Sequence, residues 1–178
     1  MSINRCSWAG DDETYIRYHD EEWGVPTHDD HELFEMLVLE SFQAGLSWIT
    51  ILKKRENFRK AFDDFDVEKV ASYDENKIEE LSQDKGIIRH KGKIASAVNN
   101  AGIFIEIQEE FGSFDNYIWG FTNGEIIKAE FLTESELSRS ISKDLKKRGM
   151  KFVGPTIIYS YLESIGIIDN HQKNCFKY

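Results

Sequence analysis

The sequence predicts an all-α protein on three grounds. Apolar residues recur at three- and four-residue spacing along most of the chain, only two prolines interrupt 178 residues, and alternating Val/Thr runs that would mark strands are scarce. Glu, Lys, Leu and Ile are abundant, which suits helices better than sheet. The length fits one domain, or a main domain with a small attached subdomain, and is enough to bury a proper core. No apolar run reaches the length of a membrane span, and Met1 to Gly10 lacks the apolar core of a signal peptide, so the expectation is a cytoplasmic protein with no membrane partner.

Taken in order, residues 6–23 crowd Cys6, Trp8, Tyr15, Tyr18, His19 and Trp23 into a short span. So many aromatics near a terminus need something that ties the end down. Cys6 and His19 are candidates for the tie, with His171 and Cys175 at the other end as partners. The H-x-x-x-C spacing puts those two side chains on one face if the tail makes a helical turn. Two thiolates and two imidazoles form a closed tetrahedral set suited to Zn2+. The long gap between the halves is unlike a zinc finger, and a Cys6–Cys175 disulfide or two unrelated buried thiols remain as alternatives.

Asp29 and Glu32 resemble a capping pair that opens a helix with Leu33, Phe34, Leu37 and Val38 on its apolar face. The apolar pattern restarts at Trp48, Ile51 and Leu52, so the stretch from Glu40 to Trp48 is a corner between two helices. Gly45 can close the first in a left-handed conformation and Ser47 can cap the second. Glu40 then lies about one turn before a helix C-terminus, where the carbonyls make the potential negative and a carboxylate costs energy. A cation would relieve that cost. With the Trp48 ring beside it, the pair resembles a slot for a flat, electron-poor or positively charged ring. The plain alternative is a surface Glu beside a core Trp.

The helix after Ser47 is expected to run on through Phe58 and Phe62, followed by a loop at Asp63 to Asp66, a short helix near Val67 to Tyr73, and another from Asp74 through Ile78 and Leu81. Gly86 and Gly92 then bracket a tight turn before a helix bearing Ile94, Val98, Ala101 and Phe104. Such a hairpin can turn backbone N–H groups toward a phosphate at a helix N-terminus, and Arg89, Lys91 and Lys93 cluster there; an ordinary interhelical turn is the alternative. Residues 112–132 read as irregular. Thr133 to Glu136 match a capping box that opens a helix through Leu137, Ile141 and Leu145, ended by Gly149. Gly154-Pro155 opens the last helix, whose buried face runs from Ile157 to Ile165 before Gly166.

Net charge is −10, from 22 Lys and Arg against 32 Asp and Glu, which speaks against non-specific coating of nucleic acid. Three local basic clusters stand out from that background: Lys53 to Arg55, Arg89 to Lys93, and Lys143 to Lys151. Runs of this kind are commonly solvated helix faces.

Arg5-Cys6 with Trp8, Tyr18-His19-Asp20 before Glu22-Trp23-Gly24-Val25-Pro26, the run Gln43 to Trp48, Gly86-Ile87-Ile88-Arg89, Lys151-Phe152-Val153-Gly154, and His171 with Cys175 together resemble the bacterial 3-methyladenine DNA glycosylase I family, the TAG type. The resemblance spans nearly the whole chain. It implies a helix-hairpin-helix glycosylase fold as a single domain over 1–178, with segments 1–26 and 166–178 joined by a structural zinc ion on Cys6, His19, His171 and Cys175. It makes Glu40 the carboxylate that recognises the methylated base and assigns the catalytic role to it. Tyr18 and Trp48, with Trp8 and Trp23 nearby, form the aromatic slot. Gly86, Ile87, Ile88 and Arg89, with Lys91, become the hairpin that grips the DNA backbone, and Gly45 and Leu46 plug the gap left in the duplex. The implied partners are double-stranded alkylated DNA and free 3-methyladenine as product, with a monomeric enzyme.

The resemblance also implies a monofunctional reaction that leaves an abasic site, with no obligatory catalytic Asp and no Schiff-base lysine. Phe42 departs from the family pattern, where a polar residue is expected; if it faces the pocket or the DNA, it alters substrate breadth. Two rival classes are a non-catalytic DNA-binding module and a zinc-stapled helical interaction protein. Salt dependence of binding separates the last from both DNA readings.

Overall fold

The structure, a computed structural model, describes residues 2–129 and 132–178. Among the described residues the chain forms ten α-helices: α1 Glu13–Glu21, α2 Asp30–Phe42, α3 Trp48–Lys53, α4 Arg55–Ala61, α5 Val67–Ala71, α6 Glu75–Ser82, α7 Lys91–Phe111, α8 Phe114–Gly120, α9 Glu136–Lys147 and α10 Pro155–Ser164. The all-α expectation holds, with one small addition. A parallel pair of two-residue strands, β1 Ile127–Lys128 and β2 Ile168–Asp169, links the middle of the chain to its tail. No helix among the described residues is long and apolar enough to cross a membrane.

The core is built around α2. Every residue from Leu33 to Phe42 is buried, so the helix is enclosed on all sides. It packs on α10, α7 and α8. Phe34 meets Phe104 of α7 at a ring distance of 5.2 Å, and Phe104 stacks on Phe114 of α8 at 4.2 Å. The Tyr161 hydroxyl of α10 donates to the Leu33 carbonyl at 2.9 Å, which satisfies both groups inside the core. Asp29 caps α2 as its spacing predicts, accepting from the His31 amide at 3.4 Å. Asp30 also reaches across to α8, where its carboxylate accepts from the Phe114 and Asp115 amides at 2.9 Å and holds the start of that helix.

Several elements differ from the sequence reading. The helix expected across residues 48–62 breaks at Lys54, whose φ of −98° and ψ of 0° end α3 before α4 begins. Residues 112–132, read as irregular, contain α8, capped by Ser113 and buried through Phe114, Tyr117, Ile118 and Trp119; Glu130 and Phe131 of that stretch lie outside the described residues. The box that opens α9 is formed by Ser135 and Ser138, whose side chains and amides bond reciprocally at 3.2 and 2.8 Å, in place of the Thr133–Glu136 pair. The tail after β2 makes turns and no helix, so His171 and Cys175 do not share a helical face. Phe42 is fully buried against Phe58 and Phe62 at 4.9 and 6.0 Å, and it lines no cavity at the corner. It is a core residue, which removes the route by which it would alter substrate breadth.

Candidate active site

The two helices of the corner and the short α1 bring the expected aromatics together. Asp12 caps α1 through the Thr14 and Tyr15 amides, and the helix turns Tyr18 toward α3. Trp8, Tyr18, Trp23, Glu40 and Trp48, the five residues expected at the base slot, all line one cavity of about 180 Å³. The Tyr18 and Trp48 rings lie 5.6 Å apart and tilted by 54°, while Trp8 meets Trp23 edge-on at 4.9 Å.

Glu40 is 3% exposed, and its Oε2 has no hydrogen-bond partner. The Trp48 indole nitrogen is likewise buried and unpartnered. A buried acceptor and a buried donor left open in the same cavity are costly unless a ligand meets them. Burial pushes the Glu40 carboxyl well above its ordinary value, and the charge of Glu163 adds to the rise. Tyr18 is raised by burial and by Glu40.

Four lining residues were not assigned to the pocket from sequence: Tyr15, Gln43, Ser160 and Glu163. Spacing carries a signal for two of them: Tyr15 lies one turn from Tyr18, and Gln43 one turn from Glu40. Glu163 brings a second carboxyl to the cavity, raised to about 7 by burial although the Asn170 amide donates to it at 3.1 Å. Nothing in the sequence pointed from α10 to Glu40, because that contact is made only by folding.

Beside the pocket, Cys6, His19 and Cys175 present ligand atoms that all lie within 4.8 Å of one another, and all three residues are buried. Both cysteines are free thiols, so the disulfide alternative is not formed. The His19 Nδ1 lies 2.8 Å from the Asp20 carboxylate, which Arg5 holds from the other side at 2.7 Å; this directs Nε2 to within 3.5 Å of Cys175 Sγ. Asp20 is held down to about 2, chiefly by the Arg5 hydrogen bond. His171 stands outside the close group, its ring centroid 5.6 Å from that of His19. Its Nδ1 is 2.7 Å from Asp169, and its Nε2 is buried with no partner. A carboxylate on one ring nitrogen with the other left open is the arrangement expected of a metal-ligating histidine. The soft donor set and the orphaned Nε2 therefore fit zinc.

The DNA-facing candidates fall into two groups. At the corner, Gly45 has a φ of +79° and Leu46 is 39% exposed, a large apolar side chain at the surface. Ser47 holds the N-cap position of α3, with its hydroxyl 2.6 Å from that of Thr50. Between α6 and α7, Gly86 makes the tight turn: its amide donates to Asp84 at 2.7 Å, and a Cβ there would come within 3.0 Å of Asn57. Ile87 is buried and anchors the turn, Ile88 packs against the core and Arg89 is exposed. Lys91 is exposed but pairs with Glu79 of α6 at 2.9 Å. Lys93, grouped with these cations in the sequence, is buried and points inward.

Residues 8–178 match the model of the methyladenine glycosylase family. The DNA-3-methyladenine glycosylase 1 of Escherichia coli is 46% identical, covering 99% of this chain and 97% of its own length. The DNA-3-methyladenine glycosylase of Haemophilus influenzae is 42% identical, covering 96% of each. A Staphylococcus aureus structure, described as the structural basis of 3-methyladenine recognition by 3-methyladenine DNA glycosylase I, matches with a TM-score of 0.94 at 38% identity, covering 99% of this chain and 97% of that one. Sequence and fold agree, and the chain belongs to the methyladenine glycosylase family.

Proposed function

We propose that this enzyme flips N3-methyladenine out of alkylated double-stranded DNA and hydrolyses its N-glycosidic bond, leaving an abasic site with no lyase step. The observation that carries the reading is the buried Glu40 carboxyl, open at Oε2 beside the open Trp48 indole N–H in an aromatic-walled cavity. Methylation at N3 makes the base cationic. A cation relieves the cost of ionising Glu40, whereas neutral adenine does not, and the rings of Tyr18 and Trp48 add a face-on attraction for positive charge. Binding is thereby a selection for the lesion.

The charged base is already a good leaving group. Water adds to C1′ as the C1′–N9 bond breaks with oxocarbenium character; the bonding pair goes to the base, and the water loses a proton. The protein's main contributions are extrusion, holding and discrimination. Gly45 and Leu46 fill the gap in the duplex, and the turn from Gly86 to Arg89 grips the backbone near the lesion, with Lys91 free to help only when it leaves Glu79. Cys6, His19, His171 and Cys175 would hold one zinc ion. It would supply a structural staple between segments 1–26 and 166–178 of a single 1–178 domain, since four protein ligands leave no open position. The enzyme acts as a monomer on DNA, with free 3-methyladenine as its product ligand.

Chromatography of bases released from methylated duplex tests this. Wild type is expected to release 3-methyladenine and leave 7-methylguanine in place. No release by a folded protein carrying its metal would overturn the reading in favour of a DNA-binding module.

A further inference from the structure

One buried charge has no part in the base chemistry. Lys93, in the first turn of α7, is 7% exposed. Its ammonium donates to the carbonyl of Phe42 at 2.9 Å and to that of Ala44 at 2.6 Å. An ammonium this deep costs free energy unless its hydrogen bonds are met, and burial pulls its pKa below the usual lysine value. A methionine would fill similar space without that penalty. What the ammonium gains is the C-terminal end of α2, where carbonyls lack intrahelical partners and the helix dipole favours a cation. The last turn of α2 has no basic residue of its own; the cation comes instead from the helix that follows the hairpin.

Three working parts meet at those two carbonyls. Glu40 lies half a turn before Phe42 on α2, Gly45 and Leu46 follow Ala44 directly, and the Gly86–Arg89 turn leads into the helix that carries Lys93. His90 caps that helix by accepting from the Lys93 amide at 3.1 Å, so backbone and side chain of Lys93 are both fixed. We propose that Lys93 is a positioning residue that locks the DNA-gripping hairpin to the corner bearing Leu46 and Glu40, so that grip, gap filling and base reading move as one rigid unit. This deepens the glycosylase reading above and rests on it. Lys93 touches neither base nor phosphate; it acts through the corner.

The test is Lys93→Met in the full chain, with thermal melting to establish folding. Single-turnover excision of 3-methyladenine from duplex is expected to fall by about tenfold or more, because small misplacements at a reacting centre are costly. Affinity for free 3-methyladenine is expected to stay unchanged. Amide exchange at Leu46, whose N–H donates to Gln43 at 2.7 Å, is expected to accelerate. The salt slope of binding to abasic duplex is expected to match wild type, whereas Arg89→Ala should flatten it by about 0.9. A slope flattened as in Arg89→Ala would make Lys93 a phosphate contact and overturn the proposal. Unchanged excision, or unchanged exchange at Leu46, would overturn it as well. If wild type itself released no base, the glycosylase reading would have failed, and the exchange and salt-slope measurements would still decide the tether. Should the methionine variant not fold, Lys93→Gln, which keeps an N–H donor on a shorter stem, takes its place in the same measurements.

Discussion

At the level of single residues, two carboxyls line one pocket. Glu40, without a partner at Oε2, is the group a cationic base would satisfy; Glu163, held by Asn170, adds negative charge from the opposite helix. Burial raises both, and Glu163 reaches about 7. A carboxyl whose folded pKa lies above its unfolded value binds its proton more tightly in the fold, so its penalty is absent below the unfolded carboxylate range and grows as pH rises toward the folded pKa. Between about pH 5 and pH 8 the wild-type melting temperature is therefore expected to fall relative to that of Glu163→Gln, which has no proton to lose. Parallel curves for the two proteins would show that Glu163 does not titrate there. The same cost, tolerated at a site built for a cation, illustrates stability given up where function needs an open charge.

Short elements account for much of this protein, and they cannot hold themselves together. The nine-residue α1 is below the length at which an isolated helix is stable, and β2 has only two residues. What joins the chain ends is a set of thin contacts, such as the Phe176 amide on the Asn4 carbonyl at 2.8 Å and the Ser7 amide on Gln172 at 2.8 Å, around the Cys6–His19–Cys175 cluster. Cys175→Ser is expected to abolish zinc measured by metal analysis and to lower the melting temperature by about 10 °C or more. Metal-free wild type with an unchanged melting temperature would contradict the staple. Long elements such as α2, α7 and α10 were legible because apolar spacing holds over many residues and, for α2 and α10, agrees with a start signal, the Asp29 cap and Gly154-Pro155. The break at Lys54 was not, since no Gly or Pro marks it, and the seven-residue α8 was hidden between glycines. At the start of α9 two overlapping capping signals compete, and Ser135 prevails over Thr133.

Considered as a whole, an acidic molecule can bind a polyanion if its cations are sparing and well placed. Many basic residues in and beside the clusters seen in the sequence are committed internally: Arg55 to Glu22 and Glu35, its neighbour on α4 Arg59 to Glu35, Arg148 to Asp144 and Glu110, and Lys93 to the corner carbonyls. The proposed grip on DNA then falls to the backbone of the Gly86–Arg89 turn and a few side chains such as the exposed Arg89. The five residues expected at the slot, which share one cavity, were brought together by the family resemblance; the spacing of Glu40 and Trp48 alone fitted a surface Glu beside a core Trp equally well. Glu163 and the inward role of Lys93 were not legible, because both arise from contacts between distant helices. In the proposed function, selection for the lesion turns on Glu40 reading its positive charge, and single-turnover release of 3-methyladenine by Glu40→Gln beside wild type, with binding to abasic duplex followed in parallel, measures that dependence. Release is expected to fall by about a hundredfold, the scale of a lost electrostatic contact to developing or resident charge, while abasic binding and the melting temperature stay intact. Release at the wild-type rate by a folded Glu40→Gln protein would show that the charge is read elsewhere.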